Sequence, residues 1–272
     1  MPGRATDNDA MAKWLADNVP EWLTASVLIV VLPLLILVLE ARLHKRLPHW
    51  RSGAHNDATA IMVSVAAVVY SVAIGLCVVT LWDRYEGAKS ATEAEATNLA
   101  ALASSSAVCG PLVSAQLHEQ VIAYNRDVVA GWDMRIHGDP VPAVAADLAA
   151  IERSVAGVQP ANEAQRAWVE DAVARLGRAT ELRQTAIRLA RDQQLPSVLW
   201  VSVLVGSVVV LGLCLTCGIG DAMIRGILIV GVTVTVAVNL FLVVELNYPF
   251  YGDVAVKPDA YSRAVDQLRD GA

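Results

Sequence analysis

The sequence predicts an all-α integral membrane protein: four transmembrane helices, two plus two, with an antiparallel helical bundle inserted between the pairs and continuous with spans 2 and 3. Three observations lead there. Four long stretches contain no charged residue, hydrophobic residues make up 55% of the 272 against 18% charged, and the region between the pairs repeats apolar residues at helical spacing.

The uncharged stretches are Trp22–Leu39, Ala58–Trp82, Leu195–Gly220 and Gly226–Val244. A helix rises about 1.5 Å per residue, so roughly 17–25 apolar residues cross a hydrocarbon layer about 30 Å thick. All four are long enough, whereas buried helices of soluble proteins are usually shorter. The first is read as retained rather than as a signal peptide. Asp7, Asp9, Asp17 and Glu21 outnumber Arg4 and Lys13 before it, and Glu40-Ala41-Arg42 follows without a small-residue cleavage site. The chain then divides into residues 1–82 (N-terminal segment and spans at 22–39 and 58–82), 83–195 (extramembrane helical domain), 196–246 (spans 3 and 4) and 247–272 (juxtamembrane segment).

Within the domain, a first helix continues from span 2 at Asp83 to about Ala107 and is stopped by Gly110-Pro111. A second carries Val113, Leu117, Val121, Tyr124, Val128 and Trp132 on one face. A turn at His137–Pro140 leads to a shorter helix from Pro142, proline being compatible with a first turn. The last starts near Asn162, a plausible N-cap, and aligns Val169, Val173, Leu176, Ala179, Leu182, Ala186 and Leu189. Four amphipathic stripes need a common core, and an antiparallel bundle satisfies them. Val121, Val128, Val173 and Leu182 are expected to be buried there.

Two short loops, at 40–57 and 221–225, fall on one side of the membrane; both termini and the domain fall on the other. Arg42, Lys45, Arg46 and Arg51 lie in the first loop. The positive-inside rule weights short loops, which places loop 40–57 in the cytoplasm and domain 83–195 outside. Arg84, Lys89, Arg188 and Arg191 on the domain side pull the other way.

Several chemistries are excluded or disfavoured. A net charge of −6 argues against a nucleic-acid partner, which calls for a basic patch. No phosphate loop, nucleotide fingerprint or nucleophile elbow occurs, so no enzyme activity and no cofactor are expected. Cys214 and Cys217 form a Cys-x-x-Cys pair, but within an apolar span they read as packing residues. His44, His49 and His55 share a loop and are read as solvated rather than metal-binding. His118-Glu119 lacks the second histidine of a zinc-protease helix, and Asp171 with Arg175 reads as a solvated helix pair. No ionisable residue falls inside a span, which disfavours active transport.

Two features stand out. In span 2, Ala60, Ser64, Ala67, Ser71 and Gly75 form one small-residue face. It suits close helix packing or a pore lining with two hydroxyls toward a passing ion. Asn239 in span 4 is a lone polar group expected to bond between helices. After span 4, Glu245–Asp253 packs Pro249, Phe250, Tyr248, Tyr251 and Gly252 together, as an interfacial aromatic belt or a defined turn.

Two motifs resemble those of the bestrophin-like family of bacterial membrane proteins. The first is Trp82-Asp83, Ala88, Ala91, Glu95-Ala96, Leu99 and Leu102 at the exit of span 2. The second is Asn247-Tyr248-Pro249-Phe250-Tyr251-Gly252, then Val254, Val256 and Pro258, where the family has Asp-Arg-Pro-Phe-x-Gly. Asn247 and Tyr248 stand where that pattern has an acidic residue and an arginine. The resemblance implies a distant relationship to bestrophins, which are pentameric anion channels with a pore lined by the second helix and a cytoplasmic helical domain. It therefore implies a homo-oligomer in a lipid bilayer that passes inorganic ions, and it opposes the orientation given by loop charge. The alternative is a non-conducting protein whose domain senses a signal or assembles with an envelope or membrane partner.

Overall fold

One helix organises the chain. Helix α3 (Asn56–Ser105) runs unbroken for 50 residues, because Gly87 is its only weak helix former after the span and no proline interrupts it. The computed structural model describes residues 21–46, 56–137, 139–191, 195–216, 218–219, 221–250 and 255–270. Before α3 lie α1 (Glu21–Ser26), a π-helical turn (Val27–Val31) and α2 (Leu32–Arg46). Pro33 has no N–H to donate to the carbonyl of Ile29, and the wider turn sits where that bond is missing. After α3 come a 3₁₀ turn (Ser106–Cys109), α4 (Pro111–Ala130), α5 (Trp132–Ile136), α6 (Pro142–Ala156), α7 (Glu163–Arg191), α8 (Ser197–Leu215), α9 (Ala222–Leu246) and α10 (Asp259–Asp270). The described residues contain no strand.

Among the described residues three helices, α3, α8 and α9, are long and apolar enough to cross a membrane. The expected first span falls on α1, the π turn and α2. The chain forms two compact units, Met1–Asp83 with Gln193–Val254, and Arg84–Asp192 with Ala255–Ala272.

In the first unit α9 packs against α2, the π turn and α8. Its inward face is Ile229, Thr233, Val236, Ala237, Leu240 and Val243; that of α8 is Val203, Ser207, Val210, Leu211 and Cys214. The small members let the backbones approach, as apolar solvent requires of helix contacts. Ser207 and Thr233 donate to the carbonyls of Val203 (2.8 Å) and Ile229 (2.7 Å), so burial leaves neither hydroxyl unsatisfied. Large apolar side chains stay exposed on α3 (Ile61, Val65, Val69, Leu76) and α8 (Val198, Val201, Val208).

The second unit has a continuous core. It joins Leu99 and Leu102 of α3, Leu117, Val121 and Val128 of α4, Val144, Leu148 and Ile151 of α6, Trp168, Ala172 and Leu176 of α7, and Tyr261 and Leu268 of α10. Gly110 ends the 3₁₀ turn at φ 100°, a left-handed backbone open to glycine, and Pro111 starts α4 where no N–H is needed.

One expectation fails here. Val173 is 58% exposed and Leu182 only half-buried, whereas Trp168, Ala172, Leu176, Ala179, Ala186 and Ala190 face inward. Leu176, Ala179 and Ala186 of the expected stripe are buried, while Trp168 and Ala172 take the inward positions beside Val169 and Val173, where the Trp168 Nε1 donates to Ser105 Oγ at 2.9 Å. The alanines below it let α7 sit close. The C-terminal segment, expected beside the membrane, supplies α10 to the second unit, with Tyr261, Ala264, Val265 and Leu268 buried against α4.

Candidate functional site

The small-residue face of α3 is a site only if it stays open. α3 packs within its unit through Ile74, Cys77 and Leu81, at 3%, 7% and 0% exposure, and through Tyr70. The Tyr70 hydroxyl hydrogen-bonds Ser207 Oγ of α8 at 2.8 Å. Its ring lies over Gly206, where an added Cβ would stand 2.7 Å from Tyr70 Cδ2; only glycine allows that approach. At 100° per residue, the Ala60–Gly75 stripe is turned by about 90° from this packed face. Ala60, Ser64 and Ser71 are exposed, and Ala67 and Gly75 half-buried. Ser64 donates to Ala60 O (2.8 Å) and Ser71 to Val68 O (2.9 Å). Each hydroxyl is thus satisfied on its own helix and still presents lone pairs outward.

A groove of about 710 Å³ runs along this side. Ala67 and Ser71 form one wall, and Gly231, Thr235 and Asn239 of α9 the other. Asn239 does not bond between helices as expected: its Nδ2 donates to Thr235 O at 2.8 Å, one turn back in α9. The groove offers hydroxyl and amide dipoles without a formal charge among its lining residues. Such dipoles can replace part of an ion's hydration shell without trapping it.

At one end of the same unit a pair absent from the sequence reading holds α2 to α9. Arg225 Nε donates to Glu40 Oε1 at 2.5 Å, and Arg225 Nη1 to Ile219 O at 2.6 Å. Both side chains are nine-tenths buried. The signal was present: one acid follows the first apolar stretch and one arginine precedes the fourth, both on the side of the short loops.

The motif after α9 becomes intelligible through Asn247, 1% exposed, whose Oδ1 accepts from Leu195 N at 2.9 Å. It ties the end of α9 to the entry of α8; its Nδ2 has no hydrogen-bond partner. Tyr248 and Phe250 are buried and Pro249 lies in the turn with them, so these rings are not an exposed belt. Gly252 lies outside the described residues, as do Cys217, His49 and His55.

In the other motif, Trp82 (52% exposed) and Asp83 face outward, while Ala88, Ala91, Glu95, Ala96, Leu99 and Leu102 make the inner face of α3 in the second unit. Glu95 is wholly buried. It accepts from Arg135 Nη2 (2.5 Å) and Nη1 (3.3 Å) and from the Tyr124 hydroxyl. The Arg135 guanidinium lies 5.7 Å from the Trp132 ring centre and 5.4 Å from that of Tyr261, within range of cation–π attraction. Burial works against the arginine's charge, but Glu95 and the two phenols outweigh it, so Arg135 holds its proton above its ordinary range. Burial, then the Glu95 carboxylate, push the Tyr124 and Tyr261 phenols well above theirs. Both phenols are therefore neutral at physiological pH, which leaves Tyr124 a hydrogen-bond donor. Among the described residues no three His, Cys, Asp or Glu side chains converge to hold a metal.

The family model of the bestrophin-like domain matches residues 27–261. Two crystal structures of single-substitution variants of a bacterial bestrophin homolog from Klebsiella pneumoniae superpose with TM-scores of 0.70 and 0.71, each at 13% identity. They cover 89% and 90% of this chain and 96% and 98% of those chains. A third, described as a membrane protein, gives a TM-score of 0.69 at 13% identity over 91% of this chain and 97% of its own. No curated protein matches the sequence.

Proposed function

This chain belongs to the bestrophin-like family, and from that premise we propose that it is a four-span membrane protein that assembles as a homo-oligomeric anion channel lined by the span of α3. The first span is carried by α1, the π turn and α2, and the others by α3, α8 and α9. The exposure of α3 supports the pore most directly. Only 11% of its most apolar window is buried, against 33% for α8 and α9. A helix so poorly covered within its own chain, with a stripe of small and hydroxyl side chains left open, suits a position against copies of itself around an aqueous axis. Ala60, Ser64, Ala67, Ser71 and Gly75 are the proposed lining.

For orientation, the resemblance is preferred to the loop charges, placing the helical domain in the cytoplasm. Arg225, a loop-side cation, is neutralised by Glu40. Arg84, Lys89, Arg188 and Lys257 flank the spans on the domain side. A cysteine placed at Ser52, in a background without native cysteines, should then react with an impermeant thiol reagent on intact cells while one at Gly138 does not.

The channel reading is tested by Gly75→Trp in reconstituted protein. An added Cβ at Gly75 meets nothing within 4 Å among the described residues, so the new side chain leaves the helix into open space. Chloride flux should vanish while oligomer size is unchanged, because a ring of indoles narrows and dewets the axis. If the variant fails to assemble, the stripe is a packing face. Intact wild-type oligomers that pass no ion across liposomes would remove the channel reading and leave the assembly role.

A further inference from the structure

A second cavity lies wholly in the second unit, beyond the α3 stripe along the same helix. It measures about 190 Å³ and is walled by Tyr85, Lys89, Thr92 and Glu93 of α3 and by Ala255–Lys257, Asp259, Ala260 and Arg263 of the C-terminal segment. That is the volume of about six waters. Its chemistry is biased toward anions. Three cations face two carboxylates, and Glu93 is occupied by Arg263 at 3.7 Å. Among the described residues neither Lys89 nor Lys257 makes an ion pair, so two ammonium groups on separate segments flank one small cavity without a committed partner there.

Depth along α3 suggests what fills it. Lys89 lies seven residues, about 10 Å, beyond Trp82 at the end of the apolar stretch. A headgroup layer is roughly 5–8 Å deep on each side of the hydrocarbon, and lysine extends its ammonium along a flexible stem. Tyr85, on the cavity wall, is the residue type that settles at that level. We propose that this cavity is a binding site for a phosphate group, supplied by the headgroup of an anionic phospholipid, with Lys89 and Lys257 as its cationic contacts. The depth argument rests on the span of α3 but not on ion conduction.

The test uses the full chain in neutral detergent, titrated calorimetrically at low ionic strength with dihexanoyl phosphatidylglycerol, dihexanoyl phosphatidylcholine and inorganic phosphate. The phosphatidylglycerol should bind more tightly than the phosphatidylcholine. Each juxtamembrane lysine contributes about a fivefold attraction to an anionic surface, so Lys89→Gln with Lys257→Gln should weaken phosphatidylglycerol binding about thirtyfold. Lys89→Arg with Lys257→Arg should retain it, and unchanged circular dichroism in both double variants separates site loss from misfolding. Competition by inorganic phosphate with the same lysine dependence would support the phosphate site and assign its occupant to free phosphate rather than lipid. Equal affinity for the two lipids, or a phosphatidylglycerol affinity unmoved by the glutamine pair, would overturn the proposal, and neither outcome depends on ion flux.

Discussion

Arg135→Met removes the cation from the buried cluster while keeping most of the stem volume between Trp132 and Tyr261. Glu95, wholly buried, then loses both guanidinium hydrogen bonds and keeps the Tyr124 hydroxyl. Breaking one side of a buried ion pair destabilises by about 3–5 kcal/mol, because the remaining charge has neither water nor partner. A unit of this size loses about 4 °C per kcal/mol, so the apparent melting temperature of the second unit should fall by about 12–20 °C. Thermal unfolding of the full chain in detergent reads the shift. Hydrogen exchange on peptides from 84–105 and 111–130 assigns it to the second unit. Glu95→Gln in the Arg135→Met background removes the stranded charge and should recover at least half of the loss, since the amide oxygen still accepts from Tyr124. A loss below about 1 kcal/mol for the single variant, or a double variant no better than the single, would refute the view that electrostatics within this cluster hold α3 to α5.

Gly206→Ala should destabilise the first unit by about 1–3 kcal/mol, because the new Cβ collides with the Tyr70 ring and strains its bond to Ser207. Gly212→Ala, whose Cβ meets nothing, should not destabilise in the same melts, alanine being the better helix former. Leu176→Ala should cost about 2–5 kcal/mol and Val173→Ala less than about 0.5, since the first is buried and the second 58% exposed; equal losses would restore the stripe expected from spacing alone. Asp147 should make stability pH-dependent. Burial and then the facing Asp127 raise its carboxyl above the ordinary aspartate value, so the folded state binds its proton more tightly than the unfolded state. That contribution is complete below the ordinary value and is lost as pH rises through the raised one. Asp147→Asn should therefore flatten the stability profile over this window, and parallel wild-type and variant profiles would exclude the pairing.

The sequence by itself determined the helical class and the positions of the long apolar segments. Length without charge is a one-dimensional property, and the bilayer acts on it directly. It also determined which residues carry the family motifs, because Ala88, Ala91, Glu95, Leu99 and Leu102 recur at helical spacing. What it left open was the direction each face takes. Val173 and Leu182 have the size and spacing of core residues, yet Trp168, bonded to Ser105, and Ala172 are buried in their stead, beside the expected Leu176 and Ala179. The sequence marks the C-terminal segment only as juxtamembrane, and only the fold makes Tyr261, Ala264 and Leu268 of α10 part of a core begun more than 150 residues earlier. Glu95 and Arg135, 40 residues apart, carry no local sign of each other, and Glu40 and Arg225, 185 apart, share only a place beside the apolar stretches. An ion pair depends on distance in space, and tertiary packing alone brings those charges together and removes the water that would otherwise separate them.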